Sequence, residues 1–269
     1  MLSYKELLDL TKKKIEEVYE EVYITQSLQF SDCCDFFLIK IDGGYAIVPT
    51  FKLLGEVDEE RMAAVVRNAT VVDNLCNIQL GIFAKECKGA SAIIQDMVSY
   101  TVNGMLVAFG IPIYEGRDLV FLPKAVAEKY GVTRHDLYAF AHNNAEFSFV
   151  ESSKVVPNAW RVRTKGFYDS VALLWPDLWA EKMATVMDNE RFFIVPLSNK
   201  EIYCVKQTDF FKQGFELLRL MEEQKYRLFP YRDRHYEPIT EDIAFFDSEK
   251  VAFISAEALV LMQASSPYK

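Results

Sequence analysis

Apolar positions along this chain fall into short blocks, and most blocks end at a turn residue. Tyr4, Leu7, Leu8, Ile15, Val18, Tyr19 and Val22 recur at helical spacing, with Lys12, Lys13, Glu16, Glu17 and Glu20 on the other face. Ser3 followed by Glu6 fits a capping box, in which each side chain satisfies the other's backbone amide. Phe36–Ile41 and Tyr45–Val48 then read as two strands joined at Asp42-Gly43-Gly44, because glycine supplies the positive φ that a tight turn demands. Pro49 closes the second strand. Asp58 predicts the cap of a short helix carrying Met62, Val65, Val66 and Ala69.

The same reading continues down the chain. Asn77–Phe83 is a predicted strand, and Met105–Tyr114 with Leu119–Leu122 a hairpin across Glu115-Gly116-Arg117-Asp118. Pro123 opens a helix that Gly131 stops, and Thr133 with Asp136 opens the next, bearing Leu137, Tyr138, Phe140 and Ala141. Phe167–Leu174 and Pro176–Met187 read as helices separated at Pro176, with Trp175 and Trp179 anchored in the core. Phe192–Val195 and Ile202–Val205 form a hairpin around Ser198-Asn199. Thr208 or Asp209 caps a helix that buries Phe211, Phe215, Leu218 and Met221. Ile243–Phe246 pairs with Val251–Ile254, and a short helix follows from Ser255. Repeated local hairpins interspersed with helices predict an α+β fold, with antiparallel hairpins forming one or two sheets and helices packed on them. A doubly wound parallel sheet would need strand–helix–strand alternation throughout. The division expected is an N-terminal lobe over 1–150 and a C-terminal lobe over 151–269, joined near Ser152–Asn158, or one continuous domain.

Composition narrows the class. Of 269 residues, 51% are apolar and 26% charged, which excludes a disordered, collagenous or low-complexity chain. Acidic residues outnumber basic ones 39 to 30, for a net charge of −9, so a phosphate backbone is repelled and general nucleic-acid binding is not expected. The uncharged stretch Met97–Tyr114 is long enough to span a membrane, but Ser99, Thr101, Asn103, Gly104, Gly110 and Pro112 suit a buried strand better, so no membrane partner is expected. Residues 1–6 lack the basic-then-apolar order of a signal peptide. An odd set of five cysteines, with Cys33 and Cys34 adjacent, is unlike a secreted disulfide framework. Both observations point to the cytoplasm, with reduced thiols.

Chemistry is sparse. There is no phosphate-binding glycine motif, no C-x-x-C and no H-E-x-x-H, so neither cofactor nor metal is expected. His135 and His142 share a helix face but stand too far apart to converge on one ion. Asp177, Glu181 and Lys182 imitate a nuclease set, yet fall on one helix instead of two adjacent strands. No G-x-S-x-G marks a nucleophile, which leaves a hydrolase-like enzyme with dispersed residues as the alternative reading. Tyr226–Tyr236 is the segment richest in Tyr and Arg, the residue types that dominate interface energetics. Tyr231, Arg232, Arg234, His235 and Tyr236 are its candidate partner-binding residues; the competing reading is a loop pinned by its own aromatics. Its local basicity in an acidic chain suits an acidic surface, and a second copy of the chain in a homodimer is one candidate partner.

Gly131-Val132-Thr133-Arg134-His135-Asp136-Leu137-Tyr138-Ala139-Phe140-Ala141-His142-Asn143-Asn144 resembles a G-V-T-x-x-x-L-Y-x-x-A-x-x-N segment. Phe193-Ile194-Val195-Pro196-Leu197-Ser198, after the helix 167–174, resembles a helix-then-I-L-P-S strand, and Phe37–Pro49 an N-terminal hairpin running into proline. These segments resemble an uncharacterised family of unknown function from gut Firmicutes, often carried on mobile elements and distantly similar to the YtpQ-like family. The chain lacks the strongly acidic inserts such proteins often carry. The resemblance implies no activity and no catalytic residue; a mobile-element origin implies a regulator or an inhibitor of host defence. The function expected is therefore that of a non-enzymatic cytosolic protein that binds another protein.

Overall fold

The structure, a computed structural model, describes residues 2–27, 35–55, 58–84, 95–114, 118–152, 158–166, 168–180, 191–198, 200–210, 219, 223, 243–246, 251–254 and 258. The fold is α+β, with antiparallel sheets and several helices. Two compact units form, one from Met1–Gln79, Lys88–Val98 and Ala108–Ala141, the other from Leu80–Cys87, Ser99–Val107 and His142–Lys269.

In the first unit, helix α1 (Tyr4–Glu16) starts at the expected capping box: Ser3 accepts from the Glu6 amide at 3.3 Å, and Glu6 accepts from the Ser3 amide at 2.7 Å. Strands β1 (Val22–Gln26), β2 (Asp35–Ile41), β3 (Gly44–Pro49) and β4 (Thr70–Val72) form a sheet in that order. Helix α2 (Glu59–Arg67) begins at Asp58, whose carboxylate accepts from the Arg61 amide. Phe37, Ile39, Ala46 and Val48 share one sheet face and pack with Leu8, Ile15, Met62 and Val66 of the two helices. The alternate positions Phe36, Leu38, Tyr45 and Ile47 are buried as well. That is why β2 reads as a continuous apolar run instead of an in–out alternation.

Gly43 takes φ +87° in the β2–β3 turn, as the sequence requires. Gly44 is constrained by space. A Cβ there would stand 2.1 Å from the Val72 carbonyl oxygen and 3.0 Å from the Asp73 Cα. Further along, helix α3 (Lys124–Lys129) follows Pro123 and ends at Gly131 with φ +65°. Thr133 and Asp136 exchange hydrogen bonds at the start of α4 (Arg134–Asn143). Strand β7 (Met105–Ile113) passes from the second unit into the first, where Gly110–Ile113 pairs with β8 (Asp118–Phe121).

In the second unit, β5 (Gln79–Ala84) and β6 (Ser99–Val102) are sheet neighbours of β7. The turn from β6 to β7 is Asn103-Gly104, with φ +46° and +74°, the two-residue hairpin signal hidden inside the uncharged stretch. Six strands then form an antiparallel sheet. Its order is β14 (Val251–Ile254), β13 (Ile243–Phe246), β11 (Phe192–Ser198), β12 (Glu201–Lys206), β10 (Ala159–Thr164) and β9 (Phe147–Ser152). Pro196 sits in β11 beyond Ile194, the last residue paired with β13, so its missing amide costs no ladder bond there; a register shift follows between Pro196 and Ser198. Phe193, Val195, Leu197, Tyr203, Val205, Phe210 and Ile243 form the core. Cys204, between Tyr203 and Val205 on β12, is fully buried.

Some expectations change. Asp169–Leu174 is a 3-10 helix, not an α-helix. Asp169 fixes its start by accepting from the Thr164 amide at 3.0 Å. Residues 176–180 are helical from Pro176 onward, and Trp175 and Trp179 are buried as the spacing suggests. Strands β9 and β10, which the sequence reading left out, flank residues 153–157 and pair antiparallel. Residues 153–157 lie outside the described residues; residues 207–210 are helical, so Thr208 and Asp209 stand inside that helix and not at its cap, and most of its expected continuation and of the helix expected from Ser255 lies outside the described residues.

Candidate functional site

The sheet of the first unit has two unlike edges. At one, β1 meets β8: the Thr25 hydroxyl donates to the Phe121 carbonyl at 2.6 Å, the Ser27 hydroxyl donates to Asp118 at 2.8 Å, and Ser27 forms an antiparallel bridge with Val120. At the other, β4 pairs with β3 through Thr70–Ile47, Val71–Ala46 and Val72–Tyr45. Among the described residues β4 has no second strand neighbour. Successive residues of a strand direct their backbone groups to alternate sides. At least one of these three residues therefore points its N–H and C=O away from β3. Val71 is 48% exposed.

A cavity of about 100 Å³ opens beside this edge. The apolar part of its lining is made by the buried side chains of Val72, Leu75, Ile78 and Ile111. Its rim is polar and exposed: Thr70, Asp73, Asn74 and Asn77. The loop is ordered by its own bonds, since Asn74 accepts from the Cys76 amide at 3.0 Å and donates to Asp73 at 2.8 Å.

The edge is braced from behind. Tyr130, the C-cap of α3, donates its hydroxyl to the Val72 carbonyl at 2.7 Å, and its ring meets that of Tyr45 at 6.0 Å. Burial raises the Tyr130 phenol above its ordinary range, and the Asp73 charge adds to this. Tyr45 and Tyr23 both donate to the Glu21 carboxylate, at 2.9 and 3.1 Å, and Lys129 pairs with it at 2.9 Å. The Lys129 bond holds Glu21 below the usual carboxylate range, against the effect of burial.

The second unit holds two polar groupings. Asp169 lies 3.4 Å from Arg163 and 3.8 Å from Arg161, while Arg161 also pairs with Glu201 at 3.2 Å. Burial raises the Asp169 pKa and outweighs the Thr164 amide and both guanidiniums. These contacts tie β10, β12 and the 3-10 helix together. The second grouping bears on the hydrolase alternative: His142 contacts Asp177 at 2.8 Å and meets the Trp175 ring edge-on. Asp177 is 62% exposed, whereas the acid of a catalytic triad is buried so that it fixes the imidazole. Both residues belong to the second unit, and the pair is an exposed contact within it.

The sequence-derived residues Tyr231, Arg232, Arg234, His235 and Tyr236 all lie outside the described residues. Among the described residues, no three His, Cys, Asp or Glu side chains gather to hold a metal ion, and no helix is long and apolar enough to cross a membrane. No protein family, curated protein or solved structure matches this chain. Sequence reasoning missed the β4 site. Its signal was there: Thr70-Val71-Val72 is a β-branched run ended by Asp73-Asn74, a strand followed by a turn.

Proposed function

We propose that this protein works in the cytoplasm by binding another protein, without catalysis of its own, and that the β4 edge and its cavity are the contact surface. One observation carries the reading: a cavity lined by buried aliphatic and exposed polar side chains adjoins a sheet edge with no strand neighbour among the described residues, while the opposite edge of the same sheet is bridged to β8 at Ser27–Val120. A sheet edge attracts other chains unless it is covered, and a cavity beside it gives such pairing selectivity. The Tyr- and Arg-rich segment 226–236 supports the same reading through its composition. The family resemblance adds a setting, a regulator or inhibitor of host defence encoded on a mobile element.

The test is site-specific photo-crosslinking in the producing cell. A benzophenone side chain at Val71 should give one protein adduct, and one at Val18, exposed on the same unit, should not. The protein identified, once purified, should bind the unmodified chain saturably. Equal labelling from both positions, or no adduct from Val71, overturns the proposal.

A further inference from the structure

Resting on that reading, we infer that the site takes an extended segment of its partner as a fifth strand on β4, with one aliphatic side chain in the cavity and a Lys or Arg at the rim. Three observations converge. The backbone of β4 offers at least one outward N–H and C=O pair, which only another extended backbone can match in kind. The cavity, at about 100 Å³, has room for roughly three waters or one branched aliphatic side chain, and the buried side chains of Val72, Leu75, Ile78 and Ile111 in its lining give such a side chain apolar contact. The charged group at the rim is the Asp73 carboxylate, exposed and carried by a chain of net charge −9, so a cationic side chain is favoured and an acidic one repelled.

The geometry also limits the segment. Side chains of a strand alternate between faces, so the aliphatic residue and the basic one fall within two positions of each other if both reach this cavity and its rim. Because β4 is three residues long, the added strand is short, and the side chain in the cavity accounts for a large share of the affinity.

The experiment uses the full chain as bait for a random twelve-residue peptide library displayed on phage. Selected peptides should share Val, Ile or Leu with a Lys or Arg no more than two positions away. In isotope-labelled protein they should shift the amide signals of Thr70–Asp73. Changing the shared aliphatic residue to Ala should weaken binding about tenfold, the equivalent of burying one such side chain. Asp73→Lys, a change at an exposed position, should remove the preference for a basic residue, and an unchanged amide spectrum outside the Asp73 loop checks that the variant is folded. Peptides with no shared pattern, signals that shift only elsewhere, or an unchanged preference in Asp73→Lys would each overturn the inference. If Val71 crosslinks a protein but no peptide behaves in this way, strand addition is wrong while protein binding stands; if neither occurs, both fail.

Discussion

The phenol of Tyr130 donates to the carbonyl of Val72, so the residue that caps α3 holds the last residue of the edge strand. The bond ties the end of a packed helix to a strand that has no second strand neighbour among the described residues. Tyr130→Phe keeps the ring contact with Tyr45 and removes the bond. It should cost about 0.5–1.5 kcal/mol in urea denaturation, the usual worth of one such hydrogen bond. Amide exchange should quicken at Thr70–Asp73 and stay unchanged in β2. Uniform acceleration would show that Tyr130 supports the whole unit instead of its edge.

The neighbouring glycines should respond differently to alanine. At Gly44 the new methyl meets the Val72 carbonyl and the backbone must move, for a loss of about 1–3 kcal/mol. At Gly43 the space is open and only the left-handed φ of +87° opposes the change, about 1–2 kcal/mol. The distinction is in the site: Gly44→Ala should disturb β4 signals by NMR, and Gly43→Ala should leave them in place.

Glu21 sets an acid limit on the first unit. Its folded pKa lies below 4.5, so its contribution is complete above that value and is lost as pH falls through the folded pKa. Its partner Lys129 is raised above 10.5, chiefly by the bond to Glu21, and contributes fully below that value. The pair is therefore intact between these limits. The stability gap between wild type and Glu21→Gln should be flat near neutrality and close as the solution is acidified below about pH 4.5. A gap independent of pH would mean that the charge on Glu21 is irrelevant.

Asp169 should show the opposite slope. Its folded pKa is raised above 3.8 by burial, so its contribution is complete below that value and is lost as pH rises through the folded pKa. Asp169→Asn keeps the oxygen that accepts from Thr164 and loses the titration. Relative to this variant, wild type should do best in acid and lose ground toward neutrality, as read from urea midpoints across that range. A slope of the same sign as that of Glu21 would mean that the guanidiniums of Arg161 and Arg163 outweigh burial after all.

The elements that sequence revealed best are those with local causes. Ser3 with Glu6, Asp58, and Thr133 with Asp136 each satisfy amides within one helical turn, so the cap is written where it acts. The hairpins of β2–β3, β11–β12 and β13–β14 each join two apolar blocks across a few turn residues. The β6–β7 turn was obscured because Asn103-Gly104 lies in a stretch whose lack of charge raised the membrane question first. Asp169–Leu174 carries the composition of an α-helix but forms a 3-10 helix, its first residue tied by the Thr164 amide of β10. The β4 site could be read only in part. Thr70-Val71-Val72 announces a strand, but the cavity lining includes Ile111, a residue far along the chain that only the fold brings near.

The burial of Cys204 has a practical consequence. Its thiol is enclosed in β12, donates to the Trp160 carbonyl at 3.6 Å, and is held protonated because a thiolate there would have no solvent. The reactive species of cysteine is the thiolate, so the sulfur is inert while the strand stays in place. The native protein thus carries its own clock for the opening of the six-stranded sheet: the rate at which Cys204 becomes alkylated under native conditions counts the moments when that sheet comes apart.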